Sequence, residues 1–455
     1  MKETWTASDF IESLTPGNRF SIKVVFLATL SMFPSGITYF INFQVASSLQ
    51  CQWELTSSEL TLITVVFLVG EGVGSWYWGR MADIYGRKMI LIMATVFTIY
   101  FTLMSAASPS FFFYLILRFF IGTLFNVLMV ICIVYNTEYT TSADHGLSIL
   151  WLNVFYLFGN LYGIAVSYGT LNRYDWRTYM VVVMLPCVIL VPPMLWLPES
   201  IRFLQVQKKT KDILNILDDI SRTNKQPWPE NAQLRATSTT STTYHSQGYV
   251  KVVTSHWKKL LGLCLLGVPM FISYYGLPFL INFKLQHKNT CKVLESDALI
   301  PSCLPLTDTE IMGSLYVNLG LLPGTFIGYF LAEKIGRKPL MAFNAVVLAM
   351  TYCSQLLCLP SGVTYFLLFF SSGIALSACC FIFLYAAELF PTNTRATGTG
   401  IAATVWKIAS LIAPILFQQL IYTHYTFVLV LMAVSSMFGL LGLLLLPETL
   451  HKKLK

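Results

Sequence analysis

The sequence predicts an all-α membrane protein of twelve transmembrane helices arranged as two six-helix bundles. Three observations predict it: scarce charge, apolar runs of spanning length, and an internal repeat. Charged residues make up 11% of the 455-residue chain and hydrophobic residues 55%. Soluble domains carry about 25% charged residues. A chain this long could not face water with so few, because polar groups must cover its surface and buried ions are costly.

The apolar residues are grouped in blocks. A bilayer core about 30 Å thick needs about 20 helical residues at about 1.5 Å each. Runs of that length lie near 22–46, 60–79, 89–107, 111–135, 147–168 and 179–197, then near 260–283, 311–332, 340–358, 363–387, 398–421 and 425–446. Each is read as helix because a spanning segment must satisfy its backbone hydrogen bonds internally. The first run is too long for a signal-peptide core and lacks a small-residue cleavage site, so it is read as a retained span.

The net charge of +8 is a topology signal. With both termini cytoplasmic, 23 of the 30 Lys and Arg fall on the cytoplasmic side, five fall outside (Arg173, Arg177, Lys284, Lys288, Lys292) and two fall within spans (Arg118, Lys407). That asymmetry is the positive-inside pattern, and it argues against nucleic acid as a partner. Six of the ten cysteines (Cys132, Cys187, Cys264, Cys353, Cys379, Cys380) lie in spans, where packing is the expected role. Cys291 and Cys303 share the outer loop 284–310, and Cys51 lies at the outer end of span one. A disulfide among these suits an oxidising exterior, with Cys291 and Cys303 as the candidate pair.

The third observation is the repeat. Met81-Ala82-Asp83-Ile84-Tyr85-Gly86-Arg87-Lys88 recurs 250 positions on as Leu331-Ala332-Glu333-Lys334-Ile335-Gly336-Arg337-Lys338. Tyr135 and Glu138 match Tyr385 and Glu388 at the same offset, and Leu197-Pro198-Glu199-Ser200 matches Leu446-Pro447-Glu448-Thr449 at 249. Three registered landmarks imply two six-span units about a pseudo-symmetry axis. The expected division is 1–197, a cytoplasmic linker at 198–258, and 259–455. Ile213, Ile216, Leu217 and Ile220 at helical spacing predict an amphipathic helix in the linker. The Ser/Thr-rich stretch Ala236–Ser246 reads as a flexible tether.

Charge at the repeated landmarks is a candidate gate. Asp83, Arg87, Glu138 and Glu199 in one half, with Glu333, Arg337, Glu388 and Arg395 in the other, can pair at helix ends, so that rocking the halves breaks some pairs. Aromatic and amide side chains form a candidate pocket. Span five offers Trp151, Asn153, Tyr156 and Asn160. Span seven offers Tyr274 and Tyr275 in Ser273-Tyr274-Tyr275-Gly276, ahead of Pro278, where a break or bend is expected. Phe383 and Trp406 complete the wall. Buried polar groups need partners, and a solute in a central cavity supplies them.

Gly79-Arg80-Met81-Ala82-Asp83-Ile84-Tyr85-Gly86-Arg87-Lys88 resembles the signature loop of the major facilitator superfamily. Leu117-Arg118-Phe119-Phe120-Ile121-Gly122, Leu197-Pro198-Glu199-Ser200-Ile201-Arg202-Phe203-Leu204, Ser314-Leu315-Tyr316-Val317-Asn318-Leu319 and Glu388-Leu389-Phe390-Pro391-Thr392-Asn393-Thr394-Arg395-Ala396-Thr397 are similar to the synaptic vesicle glycoprotein 2 family and its related-protein branch. The resemblance runs from about residue 18 to residue 450. It implies the major facilitator fold, alternating access, and kinship with organic cation and anion transporters. The chain departs from that pattern where the family's paired acids of span one become Ser35 and Thr38, where His145 replaces an Arg, and where Cys379 and Phe383 replace a pocket Trp and an Asp.

The resemblance also frames the intramembrane charges, each of which costs at least about 2.5–3.5 kcal/mol to insert. Arg118, in a stretch the family shares, is expected to be structural. Lys407 stands where organic anion transporters place a basic residue, which implies an anionic or zwitterionic substrate. Glu71 is unexpected. Because spans two and eleven face each other in this superfamily, the alternative is a Glu71–Lys407 pair that fixes the interface.

No nucleotide-binding loop, H-E-x-x-H, C-x-x-C or dinucleotide fingerprint is present, and no histidines are paired at metal-ligand spacing. No enzymatic activity, cofactor or metal is expected. The reading is a monomeric secondary transporter of a small organic solute in the plasma membrane or a vesicle membrane, with the lipid bilayer and its cargo as partners. The competing reading is a transport-inactive relative acting as a receptor or trafficking partner.

Overall fold

The computed structural model describes residues 4–5, 11, 13, 17–141, 144–225, 233–234, 247–286, 307–357, 359–390 and 395–449. Among the described residues, twelve long helices form two six-helix bundles. The first half contains α1 (Arg19–Trp53), α2 (Ser57–Tyr85), α3 (Arg87–Ala106), α4 (Phe111–Tyr139), α5 (His145–Thr170) and α6 (Trp176–Met194). The second contains α7 (Thr254–Leu285), α8 (Asp308–Ala332), α9 (Arg337–Ser354), α10 (Ser361–Leu389), α11 (Gly398–Thr423) and α12 (Tyr425–Leu444). Eleven of them are long and apolar enough to cross a bilayer. The twelfth is α9, which carries Arg337, Lys338 and Asn344 near its start.

The duplication is visible in how paired helices begin and end. Thr56 and Glu59 form a capping box at the start of α2, and Thr307 and Glu310 form another at the start of α8. Each box satisfies backbone donors that a helix start leaves orphaned. At the other ends, Gly86 and Gly336 turn the chain at φ 99° and 100°. Side-chain-bearing residues rarely adopt that conformation, so glycine is needed at both turns. Neighbouring helices approach closely through small residues: a Cβ on Gly122 of α4 would meet the Phe67 carbonyl oxygen of α2 at 2.1 Å, and one on Gly320 of α8 would meet that of Phe369 in α10 at 1.9 Å.

Several helices depart from regularity: α1 is interrupted at Leu30 and Ser31 and α8 at Gly320. The half-helices of α6 meet at Leu185 and Pro186. Within α11, the chain runs through Pro414 into a six-residue π-helical stretch, Ile415–Leu420. The break expected in α7 near Ser273–Gly276 is absent. The helix runs through Pro278 without interruption, and its non-helical residue is His256. Pro278 lacks the N–H that would bond the Tyr274 carbonyl one turn back. The Tyr39 hydroxyl donates to that carbonyl at 3.3 Å instead.

In the segment joining the halves, Thr210–Asn224 forms a helix that buries Ile213, Leu217 and Ile220. Its Asn224 side chain donates to Asn18 Oδ1 and accepts from the Phe20 backbone N–H, both at 3.1 Å, which ties it to the start of α1. The Ser/Thr-rich stretch lies outside the described residues. Below, the face where α1 starts and α12 ends is the terminal face, and the other is the opposite face.

Candidate transport site and its supports

Three helices meet at the centre of the molecule with one ionisable or hydroxyl group each. Glu71 of α2 belongs to the first half, while Tyr275 of α7 and Lys407 of α11 belong to the second. Lys407 Nζ donates to Glu71 Oε2 and, at 2.7 Å, to the Tyr275 hydroxyl. That hydroxyl donates to Glu71 Oε2 at 2.8 Å. Glu71 is 0% exposed. A buried charge is tolerated when an opposite charge and hydrogen bonds compensate it, and this triad supplies both. It also ties the two halves together.

Lys407 and Tyr275 line a cavity on the terminal side of this centre, with Ser35, Asn126, Asn153 and Phe383 among the other walls. Glu71 sits behind it. The cavity has a volume of about 40 Å³. A smaller one of about 20 Å³, bordered by Asn160, Pro278 and Asn318, lies toward the opposite face. Tyrosines separate the two. The Tyr156 and Tyr274 hydroxyls are hydrogen-bonded at 2.9 Å across the halves, and both side chains line both cavities. The Tyr39 ring stacks on Tyr274 at 5.4 Å between centroids. Next to this septum, Phe43 and Phe279 meet edge to face at 4.7 Å.

The sequence candidates are thus sorted by the geometry. Tyr156, Tyr274, Tyr275, Asn153, Phe383 and Lys407 border the terminal-side cavity, and Asn160 borders the other. Asn153 accepts from the Cys380 thiol at 3.0 Å across the halves. Trp151 does not join them. It is 47% exposed, because helical residues turn about 100° each and Trp151 therefore points away from the face shared by Asn153, Tyr156 and Asn160. Trp406 is not on the wall either. Its indole N–H donates to the Leu263 carbonyl at 3.0 Å, and its ring stacks on Phe271 at 5.3 Å, a packing position. Sequence reasoning missed Tyr39, whose signal was available: a tyrosine one turn beyond Ser35 in an acid-free span.

At the terminal face the landmarks build two matching charge clusters. In the first half, Arg87 pairs with Glu138 and donates to the Ser200 hydroxyl at 3.1 Å, while Ser200 donates to Glu138. Glu199 accepts from the Lys88 backbone N–H at 3.1 Å, and Tyr135 donates to the Pro198 carbonyl at 2.6 Å. In the second half, Arg337 pairs with Glu388 at 3.2 Å and Thr449 donates to Glu388 at 2.5 Å. Glu448 accepts from the Lys338 N–H at 3.0 Å, and Tyr385 donates to Pro447 at 2.7 Å.

Glu448 was not among the sequence candidates, although its match to Glu199 marked it. The ion pairs among the described residues here join groups within one half, whereas the sequence predicts pairs that rocking breaks. The reason is reach: each loop turn at Gly86 or Gly336 delivers its Arg onto its own half's fourth or tenth helix. Asp83 is exposed. The side chains of Glu333 and Arg395 lie outside the described ones. So do Cys291 and Cys303, while Cys51 is disulfide-bonded.

Residues 27–455 match the family described as sugar (and other) transporter. The chain belongs to that family, within the major facilitator superfamily. It is 26% identical to the synaptic vesicle 2-related protein of Pongo abelii over 92% of this chain and 76% of the relative. It is 25% identical to organic cation/carnitine transporter 7 of Arabidopsis thaliana, over 94% and 91%. Among solved structures, the proton:xylose symporter XylE bound to 6-bromo-6-deoxy-D-glucose aligns with a TM-score of 0.68 at 19% identity, over 96% of this chain and 98% of that one. XylE of E. coli in a partially occluded inward-open conformation aligns at 0.70 and 18%, over 96% and 100%. These likenesses establish the fold. The protein is a multi-pass membrane transporter by family, resident in a lipid bilayer.

Proposed function

We propose that this chain is a secondary transporter that works by alternating access and carries a small organic solute bearing a carboxylate, anionic or zwitterionic. The observation that carries the reading is Lys407, a lysine on the wall of the central cavity whose charge is shared with Glu71 and Tyr275. A solute carboxylate entering from the terminal side meets Lys407 before Glu71. It competes for the ammonium, and a zwitterion's own cation then serves Glu71. Exchange of one pairing for the other couples solute binding to the contact between halves, because Glu71 lies in the first half and Lys407 in the second. The tyrosine septum closes the path to the opposite face while this pairing holds. The terminal face is cytoplasmic in this reading, as the lysine and arginine bias requires. The transporter acts as a monomer in the plasma membrane or a vesicle membrane, with no part for nucleic acid.

Two pieces of support stand beside that observation. The paired clusters at Arg87 and Arg337 keep each half rigid, which rocking of whole halves requires. One relative described above, from Arabidopsis thaliana, is named an organic cation/carnitine transporter. The test is uptake into proteoliposomes of a labelled panel covering anionic, zwitterionic, cationic and neutral solutes, under imposed voltage and pH gradients. Flux of carboxylate-bearing solutes is expected in the parent. It should be lost in both Lys407→Ala and the Lys407→Ala, Glu71→Ala double variant. Recovery in the double variant would assign the pair to holding the halves together and remove it from solute recognition. Flux of cations or neutral solutes alone would refute the carboxylate class.

A further inference from the structure

A second intramembrane charge has no carboxylate beside it. Arg118 of α4 is 0% exposed. Its Nε donates to the Tyr114 hydroxyl at 3.1 Å, one turn earlier on the same helix, and its guanidinium carbon lies 5.3 Å from that ring's centre. Nη1 and Nη2 have no hydrogen-bond partner among the described residues. A guanidinium carries five N–H donors and stays protonated in proteins, so a neutral tyrosine answers one donor and none of the charge.

Among the described residues, no acid pairs with Arg118. Tyr114 meets Trp176 edge to face at 6.0 Å, and Tyr179 is within electrostatic reach of the guanidinium. The Tyr179 hydroxyl donates to the Gly163 carbonyl at 3.2 Å, which leaves its oxygen as an acceptor only. The buried carboxylates described in this half are engaged elsewhere: Glu71 with Lys407, Glu138 with Arg87, and Asp144, at the start of α5, with the Gly17 backbone N–H and the Thr141 hydroxyl. Arg118 lies seven residues, or about 10 Å, inward from the start of α4, and it borders neither central cavity. A charge this deep needs an opposite charge, since leaving it uncompensated is among the costliest states inside a protein.

We infer that the first half holds a small inorganic anion of the chloride class at Arg118, bound by the two Nη groups as a resident counter-charge. Water can accept from the free N–H groups, but it carries no net charge. An organic carboxylate is excluded by enclosure, because the site opens on neither cavity. A monatomic anion needs little more space than a water and accepts several donors at once. The inference is independent of the cargo assigned above.

The test uses the full chain, purified and reconstituted in nanodiscs of neutral lipid, at matched ionic strength and pH. Thermal unfolding is followed as gluconate is replaced by chloride, bromide or nitrate. A saturable Tm rise on the order of a few degrees is expected with the small anions, as for any ligand bound only by the folded state. Ion chromatography of the denatured, desalted protein should recover about one small anion per chain. Two variants locate the site. Arg118→Leu should abolish both the Tm response and the retained anion. Tyr179→Glu should supply an internal carboxylate, so that the protein in gluconate melts where the parent melts in chloride and no longer responds. Should Arg118→Leu fail to fold, the parent titration and Tyr179→Glu still decide. Equal Tm values in gluconate and chloride with no anion retained would overturn the inference and leave water as the partner of Arg118. A response that survives both substitutions would overturn it by moving the site elsewhere.

Discussion

The terminal-face clusters and the membrane centre were built from the same duplicated chain, yet they have diverged to opposite extents. At the face, four residues of one half's cluster have counterparts in the other: Arg87 and Arg337, Glu138 and Glu388, Ser200 and Thr449, Glu199 and Glu448. At the centre no charge is repeated. Adding or subtracting the 250-residue offset takes Glu71 to Leu321, Arg118 to Leu368 and Lys407 to Leu157. All three leucines are buried. The difference teaches where symmetry is useful. Two rigid halves need the same brace twice. A site that discriminates one solute, or holds one ion, needs charges that occur once.

The largest effect should come from splitting the central pair. Glu71→Ala leaves Lys407 buried without its carboxylate, which should cost about 3–5 kcal/mol. Thermal unfolding and the monodisperse fraction on size exclusion would report it. Giving both positions the residue of their counterparts, Glu71→Leu with Lys407→Leu, should bring stability back to within about 1 kcal/mol of the parent or above it, since packed apolar residues often match a buried ion pair. If the single and double variants melted alike, the centre would not be held by that pair, and the contrast with the leucines would lose its meaning.

The two braces offer the next comparison. Removing the arginine takes from each glutamate its main cation, leaving Glu138 only Arg202 at 3.9 Å, and the two glutamates differ in burial: the Glu138 side chain is 2% exposed and that of Glu388 is 17%. Arg87→Gln is therefore expected to cost about 3 kcal/mol, toward the buried-pair range, and Arg337→Gln about 1–2 kcal/mol. Parallel melting curves of the two variants would check the order. A larger loss for Arg337→Gln would mean that burial does not set the difference between the braces.

How much of this was legible in the sequence follows the same division. The twelve helices and the paired landmarks could be read directly, because spanning length and an offset of 250 are properties of the chain alone. Glu71 and Lys407 could be proposed as partners because the resemblance sets spans two and eleven face to face and each charge is costly alone in a membrane. The partners inside the braces could not be read with certainty. Spacing did not say whether Arg87 would reach Glu138 of its own half or an acid of the other, and the turn at Gly86 settled that. Trp151 was misplaced because a five-residue spacing to Tyr156 turns about 140° away from it around a helix. Tyr39 escaped notice because its role depends on Pro278, 239 positions later, leaving the Tyr274 carbonyl without a donor.

The turns within the braces provide a test of how closely the halves still match. A Cβ on Gly86 would lie 2.5 Å from Glu199 Oε2, and one on Gly336 would lie 2.8 Å from a Glu448 carboxylate oxygen. Both glycines also hold φ near 100° with extended ψ. Gly86→Ala and Gly336→Ala should each cost about 1–3 kcal/mol, and by similar amounts. Calorimetric or dye-monitored melting of the two variants measures this directly. A tolerated alanine at one turn and not the other would show that the face, too, has begun to diverge.

The smallest expected effect lies at the septum, where the unrepeated centre joins the halves by a neutral contact. Tyr156→Phe removes the hydrogen bond to Tyr274 at 2.9 Å and nothing else of the ring. The stacking of Tyr39 on Tyr274 remains, as does the Tyr39 bond to the Tyr274 carbonyl. Stability should fall by only about 0.5–1.5 kcal/mol, the net worth of one such bond. The Tyr274 hydroxyl is left facing two small cavities, so water can answer it and limit the loss. Access should change more than stability. With one link of the septum gone, a membrane-impermeant thiol reagent applied from the opposite face should label a cysteine placed at Asn160 faster in the Tyr156→Phe background than in the parent. Unchanged labelling alongside unchanged stability would mean that Tyr39 and Phe43 alone close this path, and that the hydrogen bond between the tyrosines is incidental to the barrier.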